Sequence, residues 1–81
     1  MLKGKAQQLL DYLDTHFMTK QDLTLKEDTN SVTIMNTHAG ETEPLVEFTK
    51  DKEIRLGSAI MYLEPYDYVL LRKEYDRITH N

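Results

Sequence analysis

The hydrophobic period of this chain changes twice, and that change bounds its fold more tightly than any other feature. Leu2, Ala6, Leu9, Leu10, Leu13 and Phe17 recur at spacings that put all six on one stripe of a helix. From Asp22 the period becomes two. Leu23 and Leu25 alternate with Thr24 and Lys26, and Val32 and Ile34 with Thr33 and Met35, across the turn chemistry of Asp28-Thr29-Asn30. Past Pro65 the helical period returns, with Tyr68, Leu71, Tyr75 and Ile78 at i, i+3, i+7 and i+10 and Leu70 beside them. An α+β fold follows: an N-terminal helix, an antiparallel sheet of three to five strands and a C-terminal helix, with both helices expected on one face of the sheet.

The strand count stays open in the second half. A turn cluster, Thr37-His38-Ala39-Gly40, leads to Leu45-Val46-Glu47-Phe48, whose leading Pro44 suits the first residue of a strand or an edge position. Lys50-Asp51-Lys52 turns the chain again, and Ile54 and Leu56 open an apolar run that continues to Leu63. Gly57-Ser58 inside that run reads as a bulge or a two-residue turn, while a competing reading makes Ser58 the N-cap of a short helix over 59–64.

The helix ends carry opposite electrostatics. Lys3 and Lys5 in the first turn and Asp11 and Asp14 further on oppose the dipole of the first helix, so packing of its apolar stripe must hold it. The second helix opens on Pro65 and Asp67 and gathers Arg72, Lys73 and Arg77 towards its end, which is the favourable direction.

At 81 residues the expectation is one small domain over 1–81, burying a little over ~60 % of its unfolded surface, so a thin core that self-association would supplement. Cysteine is absent, which removes disulfides and thiolate metal sites. The opening MLKGKAQQLLDYLDTHF has no continuous apolar segment and nothing later approaches a membrane span, so a cytoplasmic chain without targeting is expected. Fourteen acidic against 10 basic residues give a net charge of -4, which repels a phosphate backbone and attracts cationic partners.

Catalytic chemistry finds little purchase. Gly4, Gly40 and Gly57 are isolated, so neither a P-loop nor a dinucleotide fingerprint is present. His16, His38 and His80 show no nucleophile-elbow spacing with Ser31, Ser58 or the threonines. Asp14 and His16 diverge around their helix, and His38 with Glu41 makes a ligand pair that lacks a third member. Glu41, Glu43, Glu47, Asp51 and Glu53 put five carboxylates within thirteen residues without the spacing of a calcium loop. They read as a solvated edge or as an acidic face for a basic protein. No catalytic, cofactor or metal-binding residue is expected, and the chain is not expected to be an enzyme.

The densest stretch is MYLEPYDYVLLRKEYDRI, residues 61–78. Helical projection assigns Tyr68 and Tyr75 to the core. Strand alternation puts Ile60 and Tyr62 on one face and Met61 and Leu63 on the other, so both faces are apolar. With Met35 and Val46 on the second face and Tyr66 at the helix start, the expected protein interface is Met35, Val46, Met61, Tyr62, Leu63 and Tyr66. The expected function is a non-catalytic interaction or accessory module, of the kind a bacterium or phage uses, acting by homodimerisation or through an acidic and apolar docking surface.

The alternative is a nucleic-acid-associated regulator with a patch of Lys3, Lys5, Arg72, Lys73 and Arg77. Helix, three strands, helix is also the element order of double-stranded-RNA-binding domains, a likeness of topology alone. Such domains meet phosphates through a lysine-rich start of the final helix, whereas here that start is Glu64-Pro65-Tyr66-Asp67.

Overall fold

A computed structural model describes residues 2–51 and 54–79, with the side chains of Leu2 and Thr79 excluded. Lys52, Glu53 and His80 of the sequence reading therefore lie outside the described residues, as does the Leu2 side chain.

Helix α1 spans Leu2–His16, and its stripe packs as the period requires. Ala6, Leu9 and Leu13 are fully buried, and Leu10 and Phe17 pack against the same cluster from half-buried positions. Four strands follow: β1 (Asp22–Glu27), β2 (Ser31–His38), β3 (Glu41–Thr49) and β4 (Ile54–Leu56). They form an antiparallel meander in the order β1-β2-β3-β4. The first hairpin brings Leu25 opposite Ile34, and the second brings Ile34 opposite Val46 and Val32 opposite Phe48. One inner face thus carries Leu23, Leu25, Val32, Ile34, Val46, Phe48, Ile54 and Leu56, and α1 lies against β1, β2 and β3 on it.

The β2–β3 connection is the two-residue loop Ala39-Gly40, both with positive φ (53° and 82°). That backbone matches the twist of the flanking strands and is comfortable for glycine, less so for alanine.

Three sequence expectations change. Val46 was expected on the second sheet face, but the register shifts between Ile34 and Met35, leaving Leu45 as an extra residue in β3. A bulge turns Leu45 and Val46 inward together, and both are fully buried. Pro44 does not begin its strand. It sits inside β3 beside the bulge, past the last residue that pairs with β4, so its missing N–H interrupts no ladder on that side.

The run from Ile54 to Leu63 is likewise not one strand. β4 ends at Leu56, and Ser58–Tyr62 form a 3-10 helix, close to the competing reading over 59–64. Its N-cap is Gly57 and not Ser58. The Gly57 amide donates to the Leu45 carbonyl at 2.8 Å, which locks this turn onto the bulge.

Helix α2 spans Pro65–Thr79 and starts at the proline, as expected. Its buried face is rotated from the apolar projection. Asp67, Leu71, Glu74 and Ile78 are the buried positions, while Tyr68 is 37 % exposed and Tyr75 only half-buried. The Tyr75 hydroxyl reaches back to donate to the Ile54 carbonyl at 2.7 Å, fixing α2 against β4. α2 also packs against α1, so the two helices share a side of the sheet.

Candidate association surface and polar end of the sheet

The six expected interface residues do not form one patch. Met61, 73 % exposed, and the half-buried Tyr62 and Leu63 belong to the 3-10 helix and its exit, while Tyr66 projects from the first turn of α2 at 61 % exposed. Met35 lies apart from them on the outer sheet face, where it lines a shallow groove of about 380 Å³ with Lys26, Thr33, Pro44, Glu47 and Arg55. Val46 is inside the core. The outer face is otherwise polar, with Thr24, Lys26, Thr33, Thr37, Glu47 and Arg55 by alternation from the paired residues. That is the ordinary solvated side of an antiparallel sheet.

The five cations of the nucleic-acid reading are largely committed within the chain. Lys3 pairs with Glu27 at 2.9 Å, Arg72 with Asp76 at 3.6 Å, and Arg77 with the buried Glu74. Arg72 also lies over the Tyr75 ring, 4.9 Å from its centroid. Lys5 and Lys73 are exposed. The two exposed pairs, Lys3–Glu27 and Arg72–Asp76, stabilise little, but all three place an acid beside the cation a phosphate would need.

Two features emerge that the sequence reading did not assemble. One is a polar relay at the end of the sheet nearest the α1–β1 connection. The Asp67 carboxylate accepts the Met18 amide at 2.7 Å, the Thr19 amide at 3.1 Å and the Thr19 hydroxyl. Gln21 then donates to Thr19 Oγ1 at 3.0 Å, and Asn36 donates to Gln21 Oε1 at 2.9 Å. Burial by itself would push the Asp67 carboxyl up, but the bonds from the Thr19 hydroxyl and the Met18 and Thr19 amides outweigh it and hold the group below its ordinary value.

Beside this relay Glu43, paired in register with Asn36, accepts from Ser58 Oγ at 3.1 Å and from the Tyr62 hydroxyl. The hydrogen bond to Glu43 raises the Tyr62 phenol, with burial and the charges of Glu43 and Glu41 acting in the same direction. Tyr62 is therefore a neutral donor at neutral pH, and its contact is lost only as pH rises through the raised value. Its ring stacks on His38 with centroids 4.5 Å apart.

An open cleft of about 690 Å³ lies over this end, lined by Thr19, Lys20, Gln21, Asp22, Thr37, His38, Tyr62 and Glu64. Of its hydroxyls, those of Thr19 and Tyr62 are engaged with carboxylates and that of Thr37 with the Thr42 hydroxyl at 2.8 Å, none with an imidazole. Among the described residues neither His16 nor His38 hydrogen-bonds a serine or threonine hydroxyl, and no group of three or more His, Asp or Glu is placed to hold a metal ion. The arrangement ties α1, the sheet and α2 together.

The second feature is strand β1 itself. It ends the sheet, is six residues long, contains neither proline nor a bulge, and shows half-buried Leu23 and Leu25 at the rim of the core. Among the described residues the opposite edge, β4, is three residues long. Short edges are protected from further pairing, whereas a six-residue regular edge presents a row of unpaired backbone groups.

Comparison with known proteins adds no relative, since neither a family model, a curated protein nor a solved structure matches the chain. No helix of the described residues is long and apolar enough to cross a membrane.

Proposed function

We propose that the chain is a non-catalytic association module that acts by homodimerisation or by docking a partner protein, with strand β1 as the associating element. One observation carries this reading: the regular edge strand whose inner-face leucines are half-covered by their own chain. Adding a strand there would extend the backbone ladder and complete the burial of Leu23 and Leu25. The thin core of a small chain makes such added burial valuable for stability. Nucleic-acid association has less support, because acids outnumber bases and Lys3, Arg72 and Arg77 face carboxylates.

Sedimentation equilibrium from micromolar to millimolar chain concentration is expected to show an average mass rising from 9.5 kDa towards twice that value. A single-chain mass throughout the range would contradict homodimerisation.

A further inference from the structure

Backbone parity in β1 follows from one hydrogen bond. The Asp28 amide donates to the Ser31 carbonyl at 2.8 Å, in register with the β1–β2 pairing, so Asp28 and Ser31 face each other as a bonded pair. Backbone groups alternate sides along a strand. Lys26, Thr24 and Asp22 therefore also direct their amides and carbonyls at β2, while those of Leu23 and Leu25 point away from the sheet.

We infer that this edge is built to pair with a second copy of itself, antiparallel and centred on Thr24. This deepens the association reading above and rests on it. In that register Thr24 opposes Thr24, Leu23 opposes Leu25 of the second copy, and Asp22 opposes Lys26 of the second copy, each of the last two pairings occurring twice by symmetry. All the outward amides and carbonyls of Leu23 and Leu25 are then bonded. The leucine pairs fall on the inner, core side and the charged pairs on the outer side, so the two sheets join with their helices on the same side.

The Thr24 and Asp22–Lys26 positions are the non-bonded type, at which facing side chains come closest. Opposite charges at such positions attract.

Neighbouring registers lack this fit. Centring on Leu25 sets Asp22 against Asp28 and Leu23 against Glu27, and centring on Leu23 sets Lys20 against Lys26 and Gln21 against Leu25. Within its own chain Asp22 faces Thr37 and Lys26 faces Thr33, both uncharged, so these charges have no cross-strand ionic partner at the directly facing positions of β2. The self-complementary pattern, in which the charges at either end of the strand exchange under a two-fold rotation, favours a second copy over an unrelated strand.

The chain has no cysteine, so a single introduced thiol reports one position. Facing residues at a non-bonded pair have Cα atoms about 4.5 Å apart, inside the range a disulfide spans. Thr24→Cys is expected to cross-link to a covalent dimer under mild oxidation, far faster than Val69→Cys, an exposed control on α2. Asp22→Lys opposes like charges twice and is expected to weaken dimerisation about tenfold, and the double variant Asp22→Lys, Lys26→Asp to restore it.

Circular dichroism of each variant confirms that the fold is kept. A dimer by sedimentation with no preferential cross-linking at Thr24→Cys, or with no recovery in the double reversal, would overturn this register and leave the association reading standing. A single-chain mass at every concentration would overturn this register and homodimerisation together.

Discussion

Asp67→Ala is expected to lower the free energy of unfolding by about 3 kcal/mol at neutral pH, from hydrogen bonds to a charged group worth roughly 1.5–3 kcal/mol each but not additive. The carboxylate is fully buried and accepts the Met18 and Thr19 amides and the Thr19 hydroxyl. Truncation leaves two backbone donors of the α1–β1 connection without their acceptor. It also unties α2 from that connection, because no other described hydrogen bond links them. For a chain this size, whose total stability is on the order of 4–12 kcal/mol, that loss is large.

The same group sets a pH dependence. Its folded value lies below the unfolded carboxyl, near 3.9, so its contribution is fully present above that value and fades as pH falls through the lower, folded one. Urea unfolding at pH 7 and at pH 3 measures both effects. Asp67→Asn keeps the size but loses the charge, and is expected to flatten the acid limb of the stability profile. An Asp67→Ala loss below 1 kcal/mol would mean that the connection finds other partners.

The second large effect is expected at Gly57. Its φ of -101° is open to any residue, so the constraint is space and not backbone freedom. A Cβ there would overlap the Pro44 carbonyl oxygen and lie 2.7 Å from the carbonyl carbon, a backbone neighbour that cannot rotate aside. Gly57→Ala must therefore push the 3-10 helix away from β3. The Gly57–Leu45 hydrogen bond is strained with it, and Ala59, fully buried one residue beyond Ser58, is displaced.

Overpacking of this kind costs about 1–3 kcal/mol. In a domain of 60–100 residues each kcal/mol moves the thermal midpoint by roughly 4–8 °C. A Gly57→Ala midpoint within about 2 °C of the parent, on that same scale, would show that the turn moves freely.

Much of the fold was legible from local pattern. The α1 stripe and the β1–β2 hairpin follow directly from the two hydrophobic periods, and Pro65 marks the start of α2. Legibility failed where a non-local contact chose between local options. The bulge at Leu45 exists because Gly57 and β4 meet β3 there, and strict alternation cannot show it, so Val46 was assigned to the wrong face. α2 is rotated because the amides after α1 draw Asp67 inward and Arg77 accompanies Glu74, which leaves Tyr68 partly outside. An apolar projection counts neither acid as core.

The polar relay left one trace in the sequence: alternation from Val32 and Ile34 puts Asn36 on the inner face, where an amide needs partners. The β1 edge left another, in the charge order of Asp22-Leu23-Thr24-Leu25-Lys26. Its meaning depends on strand order, because only an edge strand can pair with a second chain.

Amide hydrogen exchange in β1, followed residue by residue at several chain concentrations, reads the pairing of this edge at the amides that would form it. The Thr24 and Lys26 amides are bonded within the sheet and are expected to be protected at every concentration. Pairing of the edge predicts that the Leu23 and Leu25 amides exchange freely when the chain is dilute and gain protection together as concentration rises. Free exchange of both at every concentration would contradict the account.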